Sequence, residues 1–227
     1  MSLNGLVIVA AGKGLRMKQP LPKQFVPVAG KPILVHSIEK FLSFDPAIEI
    51  VLVLNPEYLE IWQEIKQQYL PKLAIEVTVG GIERYHSVAA GINAIKNSDI
   101  VAIHDAVRPC VSLATIQRTF DSAKKYGSGV PVVQLKDSIR KVDKGHSEVV
   151  DRSKFCMVQT PQTFNHQMIR EAYQGPIANT VTDDATVYEA GHGEVKLVEG
   201  DYQNLKITTQ EDLIIAEALL NKNSPAQ

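Results

Sequence analysis

Short apolar runs alternate with segments of helical spacing along most of this chain. The runs have the length and composition of buried strands, and they lie at 6–10, 48–54, 75–79 and 100–103. The segments between them repeat apolar residues at helical spacing, and they lie at 32–44, 57–69, 83–95 and 112–126. Strands that alternate with helices in this way form a mostly parallel sheet. We therefore predict an α/β fold, with helices on both faces of the sheet.

The alternation stops between residues 134 and 157, where the chain is polar and charged. Lys144 and Gly145 stand where a turn would join two strands, so this segment is interpreted as a β-hairpin arm. A hairpin alone is only marginally stable in water, so such an arm needs a partner surface; a surface loop is the alternative. The pattern then returns with two strands and a helix, at 194–198, 205–207 and 210–220. The 227 residues are thus predicted to form one domain with an inserted arm.

The charge balance limits the possible partners. Lys and Arg number 24 and Asp and Glu number 25, which argues against a protein that binds nucleic acid by bulk electrostatics. No apolar run approaches the length of a membrane span. Two cysteines, Cys110 and Cys156, cannot form a disulfide scaffold, and we expect a reduced, cytoplasmic setting.

A glycine-rich turn follows the first predicted strand. Gly12 and Gly14 allow backbone amides to approach an anion closely, and Arg16 and Lys23 add positive charge. A dinucleotide-binding fingerprint would need a third glycine where Met17 stands, and no phosphate-binding loop of the Walker type is present. The turn therefore predicts a triphosphate site, with a turn carrying solvent-facing cations as the alternative.

Two more polar clusters follow predicted strands, at 80–87 and 104–108. Ligands bind beyond the carboxyl ends of the strands in such sheets, so these clusters are candidates for one site. Asp105 could hold a divalent ion that bridges phosphates, or it could simply pair with Arg108. Glu83 and Ser87 open a predicted helix, where they could meet polar ligand groups or serve as ordinary caps.

Lys206 lies within an apolar pattern, where it would either reach a phosphate or extend from a sheet edge into water. No Gly-x-Ser-x-Gly elbow and no Cys–His pairing is evident. Chemistry without a covalent enzyme intermediate is therefore favoured. Nucleotidyl transfer fits, because its barrier is lowered mainly by positioning and charge neutralisation.

The motifs in chain order resemble those of the 2-C-methyl-D-erythritol 4-phosphate cytidylyltransferases of non-mevalonate isoprenoid biosynthesis. They are A-A-G-x-G-x-R-M, P-K-Q-F, G-G-x-x-R-x-x-S-V, H-D-A-x-R-P, V-D-R, T-P-Q, T-D-D-A and N-x-K-x-T, between residue 6 and about residue 219. The resemblance implies a Rossmann-like nucleotidyltransferase fold, an arm that interlocks a homodimer, and CTP, a polyol phosphate and Mg²⁺ as ligands.

The resemblance also implies roles for individual residues. The CTP-binding residues would be Ala10, Ala11, Gly12, Gly14, Glu83 and Ser87. The residues that offset charge at the α-phosphate would be Arg16, Lys23 and Lys206, with Asp105 on the magnesium ion. The residues that meet the polyol phosphate would be Arg108, Thr160, Thr182 and, from the arm of the neighbouring subunit, Ser138 and Arg152.

Some departures from the family pattern keep alternatives open. The H-D-A-V-R-P form, with Val107, also occurs in ribitol-5-phosphate cytidylyltransferases of teichoic-acid synthesis. Gln203 replaces a frequent acidic residue, which puts a second metal contact there in doubt, whereas Ser138 keeps the hydroxyl of the usual threonine. Cys110 and the T-D-D-A segment favour the methylerythritol branch. A nucleotide-binding module without catalytic activity is the remaining alternative.

Overall fold

A computed structural model describes residues 3–12, 21–177 and 181–222 of the chain. Its helices are α1 (Ile33–Phe44), α2 (Leu59–Tyr69), α3 (Arg84–Ala94), α4 (Leu113–Tyr126), α5 (His166–Ala172), α6 (Asp184–His192) and α7 (Gln210–Lys222). Its first strands are β1 (Asn4–Ala10), β2 (Pro27–Val28), β3 (Lys31–Pro32), β4 (Glu49–Leu54), β5 (Glu76–Val79) and β6 (Ile100–Asp105). The others are β7 (Ser128–Gln134), β8 (Arg140–Asp143), β9 (His146–Val149), β10 (Cys156–Val158), β11 (Gln162–Asn165) and β12 (Leu197–Glu199). No helix within these ranges is long and apolar enough to cross a membrane.

The central sheet is mixed and mostly parallel, in the order β7–β11–β6–β1–β4–β5, with β10 and β12 both paired to β7. The pairs β6–β1, β1–β4 and β4–β5 are parallel. Strand β11 is antiparallel to both of its neighbours. The predicted α/β class is therefore confirmed, and β1, β4, β5 and β6 present their carboxyl ends at one edge.

Apolar side chains fill both faces of the sheet, which explains the uninterrupted apolar runs of its strands. Along β1, Leu6 and Ile8 face a core that also contains Phe41, Trp62 and Phe120. Val7 points the other way, into a core with side chains of α3 and α5. Because successive strand residues point to opposite faces, a strand covered on both sides must be apolar at every position.

Gly91 is a point of close contact between α3 and the sheet. A Cβ atom added there would lie 2.4 Å from Cγ1 of Val7 and 2.9 Å from Cγ2 of Val53. We expect Gly91→Ala to lower the free energy of unfolding by about 2 kcal/mol, because the tightly packed core must shift to accept the methyl group. Urea unfolding measures this change.

Gly191→Ala is the matched control, since Gly191 also lies in a helix but its added Cβ would come no closer than 3.7 Å to Ala172. Alanine there should leave the stability unchanged or raise it by up to about 1 kcal/mol, as expected for helix propensity. Equal effects at the two glycines would contradict the packing argument.

The predicted arm is present as a two-stranded hairpin of β8 and β9, in a sheet of its own. Lys144 and Gly145 form its turn with φ values of 45° and 86°. A two-residue hairpin turn of this type needs positive φ at both positions, which glycine adopts without strain. Every residue of β8 and β9 is exposed in the single chain.

The strand predicted at 205–207 is wrong. These residues form no sheet ladder, although the backbone N–H of Ile207 donates to the carbonyl oxygen of Val107 at 2.9 Å. Ile207 is fully buried in a cluster that contains Val107 and Cys110. The segment is therefore apolar because a loop packs into the core there, and not because it forms a strand. The strand predicted at 194–198 is Leu197–Glu199 in the structure.

Candidate active site

An open cleft lies beyond the carboxyl ends of β1, β5 and β6. Small-molecule ligands bind in concave sites of this kind. The cleft brings together these predicted site residues: Ala10, Ala11, Gly12, Lys23, Glu83, Ser87, Asp105 and Lys206. Gly14 and Arg16 lie outside the described residues. The cleft is therefore where the three separate sequence clusters meet.

The P-K-Q-F segment forms one wall of the cleft through a short 3₁₀ helix, Lys23–Phe25. Phe25 is buried and packs edge-on against Tyr58, which holds this turn on the core. The buried Gln24 amide donates to the carbonyl oxygen of Ala10 at 2.7 Å. Lys23 Nζ lies 3.4 Å from the carbonyl oxygen of Ile207. Gln24, to which the sequence analysis gave no role, thus fixes the end of β1 where the glycine turn begins.

Another wall of the cleft consists of Gly81 and the start of α3, which follow Gly80 along the chain. A Cβ atom on Gly80 would lie 2.4 Å from Cβ of Ala11, so the two loops could not approach each other as they do without glycine. The backbone N–H of Gly81 donates to Oγ of Ser87 at 3.1 Å, and Ser87 is buried. Glu83 is exposed just before α3, beside the cleft.

Asp105 is the centre of charge at the base of the cleft. Its Oδ2 lies 3.0 Å from Nζ of Lys206 and 3.4 Å from Nε of Arg108. Arg84 Nη2 lies 3.9 Å from Oδ1. Burial alone would raise the pKa of Asp105, but the attraction of these cations, led by Lys206, outweighs it and holds the pKa well below its usual range.

These contacts bear on two alternatives that the sequence left open. Lys206 is ion-paired with Asp105 and lines the cleft, so it is not simply a lysine that extends into water. Asp105 does contact Arg108, as the structural alternative required, but its contact with Lys206 is shorter. The carboxylate therefore brings three cations together at the base of the cleft.

A hydrogen-bonded chain behind Asp105 uses Thr160 and His104. The carbonyl oxygen of Arg108 can only accept, so Nε2 of His104, 3.2 Å away, carries the proton of the neutral ring. Nδ1 then accepts from the Thr160 hydroxyl at 3.2 Å, and Thr160 Oγ1 accepts from the Asp105 backbone N–H at 3.1 Å. Burial lowers the pKa of His104 to about 4, although the nearby Asp105 carboxylate acts to raise it. The lowered pKa keeps the ring neutral at pH 7.

This chain gives Thr160 a structural position. Thr160 is buried beneath the cleft and is not among its lining residues, so its predicted contact with substrate stays a prediction. Its hydroxyl fixes the backbone of Asp105 instead.

The loop that carries Lys206 is held by the buried side-chain amides of Gln159 and Asn204, to which the sequence assigned no role. Gln159 donates to the carbonyl oxygen of Asp201 at 2.8 Å and accepts from its N–H at 3.1 Å. The Asn204 side chain donates to the carbonyl oxygen of Thr160 at 2.8 Å, and the Asn204 carbonyl accepts from Nη1 of Arg108 at 2.8 Å. These bonds place the loop against the end of β6, so Lys206 reaches Asp105.

The remaining predicted residues lie away from the cleft of the single chain. Ser138 and Arg152 are exposed near the arm, where Arg152 Nη1 contacts the carbonyl oxygen of Lys136. Thr182 is exposed just before α6. None of the three is among the lining residues of the cleft.

The described side chains of the cleft supply some of the ligands that a magnesium ion needs, but not all of them. Within the described ranges, no group of three or more His, Cys, Asp or Glu side chains could hold a metal. Asp105 offers one carboxylate, so most ligands would have to come from phosphate oxygens and water. Mg²⁺ typically binds in this way, through one or two carboxylates together with substrate phosphates.

The described residues that line the cleft act mainly through their charge. Lys23, Arg84 and Lys206 supply positive charge. Ser87 carries the one hydroxyl group among these described lining residues, and that hydroxyl accepts from a backbone amide. A cationic cleft at the carboxyl edge of a mostly parallel sheet, beside a glycine turn, suits the binding of a nucleoside triphosphate. The fold and this cleft define an α/β nucleotidyltransferase.

Comparison with known proteins identifies the family. The sequence model of the 2-C-methyl-D-erythritol 4-phosphate cytidylyltransferases matches residues 5–222, and the chain belongs to this family. It is similar to the enzyme of that name from Phocaeicola vulgatus, with 42% identity over 95% of this chain and 98% of the relative. The enzyme of that name from Geobacillus thermodenitrificans is 39% identical over 94% of this chain and 95% of the relative.

Solved structures agree with this assignment. The 4-diphosphocytidyl-2C-methyl-D-erythritol synthase from Anaerococcus prevotii superposes with a TM-score of 0.82 at 29% identity, covering 97% of this chain and 96% of that one. The 2-C-methyl-D-erythritol 4-phosphate cytidylyltransferase from Thermus thermophilus gives 0.78 at 31% identity, covering 97% and 100%. The chain is thus a cytidylyltransferase of non-mevalonate isoprenoid biosynthesis.

Proposed function

We propose that the cleft joins CTP and 2-C-methyl-D-erythritol 4-phosphate, with Lys206 as the main electrostatic catalyst. An oxygen of the polyol phosphate forms a bond to the α-phosphorus of CTP as the bond from that phosphorus to the bridging oxygen breaks. The products are 4-diphosphocytidyl-2-C-methyl-D-erythritol and pyrophosphate. The observation that carries this assignment is the position of Lys206, ion-paired to Asp105 at 3.0 Å and facing the cleft.

Lys23 and Lys206 come from opposite ends of the chain but line the same cleft. Fixed cations at this position stabilise the charge that builds on the α-phosphate in the transition state. The turn at Gly12 binds the phosphates through its amides, and Glu83 and Ser87 contact the cytosine or the ribose. Arg16, which lies outside the described residues, completes the cation set.

Asp105 is the residue that would hold Mg²⁺ when the nucleotide is bound. The bound ion would supply charge neutralisation between the phosphates. Because the cations that surround it keep Asp105 ionised, the carboxylate is ready to bind a cation at neutral pH.

The arm supports a homodimer in which each subunit completes the other's site. Ser138 and Arg152 lie outside the cleft of their own chain, so a partner subunit's arm is the proposed route by which they meet the polyol phosphate. Apolar side chains are exposed on and beside the arm, including Val142 at 70%, Val149 at 81% and Met157 at 44%. Burial of these side chains against a second copy would stabilise the dimer. We also propose a cytoplasmic location, where the two free cysteines, Cys110 and Cys156, would stay reduced.

Pyrophosphate release tests the reaction and its acceptor. The protein is assayed with CTP and Mg²⁺, and with either 2-C-methyl-D-erythritol 4-phosphate or ribitol 5-phosphate. We expect release with the methylerythritol substrate. Release with ribitol 5-phosphate alone would overturn the acceptor but keep nucleotidyl transfer. CTP binding without release in either case would instead support a non-catalytic module.

Mixed dimers test whether the arm acts on the neighbouring site. Lys206→Ala and Arg152→Ala are each expected to lose most activity alone. When both variant chains are co-expressed and pair at random, half of the dimers contain one chain of each variant. In such a mixed dimer, one of the two sites has both Lys206 and Arg152 intact. Activity should then recover to about a quarter of the wild-type value if subunits pair at random.

Two differently tagged chains allow the mixed dimers to be purified, so that pairing is measured directly. Co-expression of Lys206→Ala with Lys23→Ala is the control, because both lysines belong to the same chain's cleft and mixing restores no complete site. Purified mixed dimers without recovered activity would contradict action in trans.

A further inference from the structure

Arg84, the first residue of α3, is held in a bidentate ion pair across the fold. Its Nη1 lies 2.7 Å from Oδ1 of Asp184, and its Nη2 lies 2.8 Å from Oδ2. Tyr173 donates its hydroxyl to the same Oδ1 at 2.7 Å. Asp184 is fully buried, so its carboxylate depends on these two partners to offset the loss of water.

Asp184, the acidic partner of Arg84, lies at a helix start that is itself held in place by hydrogen bonds. Asp184 begins α6, and the preceding Asp183 caps that helix through the N–H of Thr186 at 3.1 Å. Gln162 of β11 donates to Asp183 at 3.0 Å and accepts from the N–H of Ala185 at 2.8 Å. The start of α6 is therefore fixed to the central sheet, and Asp184 provides Arg84 with a stationary anchor.

Arg84 connects this anchor to the cleft. Its Nη2 also lies 3.9 Å from Oδ1 of Asp105, on the side opposite Lys206. Glu83 comes directly before Arg84, and Ser87 lies one turn later on α3. The guanidinium thus fixes the wall that carries the nucleotide-binding residues and faces the carboxylate at the base.

The geometry also limits what Arg84 can do itself. Both of its terminal nitrogens face the buried carboxylate at hydrogen-bond distance, so moving the guanidinium to a phosphate would leave Asp184 charged with only Tyr173 as a partner. Leaving a buried charge without its partner is strongly unfavourable. Arg84 is therefore bound in place even though it lines the cleft.

We propose that Arg84, anchored by Asp184 and Tyr173, is a positioning residue that sets the affinity for CTP by fixing the start of α3 and the orientation of Asp105. This inference rests on the proposed function, because it assigns Glu83, Ser87 and Asp105 to the nucleotide. It adds residues 173 and 184, which do not line the cleft, to those that determine nucleotide binding.

The test compares Arg84→Lys, Asp184→Asn and Tyr173→Phe in calorimetric CTP binding and in steady-state kinetics. Lysine keeps the charge but cannot form the bidentate pair. We expect Arg84→Lys and Asp184→Asn each to weaken CTP binding and raise its KM by about tenfold, with a smaller change in kcat. The double variant should be little worse than either single variant, because the residues act as one unit.

Asp184→Asn separates positioning from direct phosphate binding. If Arg84 bound a phosphate itself, freeing it from Asp184 would leave CTP affinity unchanged or improve it, and that result would overturn the proposal. A drop in kcat with unchanged CTP affinity would overturn it as well. Arg118→Lys, which changes an arginine bonded to the carbonyl oxygen of Glu199 and absent from the cleft lining, is the matched control and should leave CTP binding unchanged.

Tyr173→Phe keeps the experiment decisive if Asp184→Asn fails to fold. It removes one hydrogen bond and leaves the ion pair intact, and about threefold weaker CTP binding is expected. Wild-type CTP affinity in both folded variants, Arg84→Lys and Tyr173→Phe, would overturn the proposal. If the wild-type protein itself fails to bind CTP, the proposed function is at fault instead.

Discussion

Replacement of Lys206 by alanine is expected to lower turnover by about two orders of magnitude, the usual effect of removing one preorganised electrostatic group. Lys206 lies 3.0 Å from Asp105, nearer than Arg108 or Arg84, and it faces the cleft, so its charge acts where the α-phosphate is expected. Nucleotide affinity should change less than turnover, because the charge that Lys206 stabilises develops mainly in the transition state. Steady-state kinetics with varied CTP measures both effects.

Lys96→Ala is the matched control for Lys206→Ala. Lys96 also forms a short ion pair, 2.7 Å from Glu76, but it is exposed and absent from the cleft lining. Turnover of this variant should equal that of the wild type, since surface ion pairs contribute little. Near-normal turnover of Lys206→Ala would remove Lys206 from the mechanism.

Asp105→Asn is expected to reduce turnover by about two orders of magnitude as well, for a different reason. The amide keeps the size of the side chain but loses the charge that holds Lys206, Arg108 and Arg84 together. Lys206 and Arg108 would then lose this carboxylate partner, whereas Arg84 would keep its pair with Asp184. We expect the free energy of unfolding at pH 7 to fall by about 3 kcal/mol.

The pH dependence of this stability difference follows from the sign of the pKa shift. The pKa of Asp105 in the folded protein is below its ordinary value of 3.8, so the carboxylate stabilises the fold at every pH above that value. The contribution is lost as the pH falls below 3.8 through the folded-state pKa. Urea unfolding of wild type and Asp105→Asn should therefore show a constant difference between pH 7 and pH 5, which shrinks toward acid.

Asp121→Asn provides the control for this charge removal. Asp121 is exposed on α4, and its Oδ1 accepts from the side chain of Gln117 at 2.8 Å. Its replacement should change neither turnover nor stability appreciably. An Asp105→Asn variant that kept wild-type stability at pH 7 would show that the surrounding cations do not depend on this carboxylate.

Elements with strong local patterns were predictable from the sequence. Strands β1, β4, β5 and β6 and the helices between them lie where apolar runs and helical spacing placed them. The helix predicted at 112–126 begins with a side-chain cap, because Oγ of Ser112 accepts from the N–H of Thr115 at 3.3 Å. Lys144 and Gly145 also form the predicted turn of the arm.

Elements defined by distant partners were missed. Strand β11 has four residues and lies antiparallel between β6 and β7, and nothing in so short a run indicates those neighbours. Residues 205–207 show the reverse error, since their apolar pattern comes from burial of a loop. Periodicity reports which side of a segment is buried, and it does not say whether a strand lies beside it.

The sequence by itself determined the α/β class, the arm and the candidate residues at the ends of the strands. Each of these follows from residues that are close together along the chain, such as apolar runs, turn residues and the polar residues directly after a strand. Only the tertiary structure paired Lys206 with Asp105 and Arg84 with Asp184, whose partners lie about a hundred residues apart. A sequence motif does not indicate how far apart such residues lie in space. An ion pair depends on separations of a few ångströms, and these are set only when the sheet and its loops have folded together.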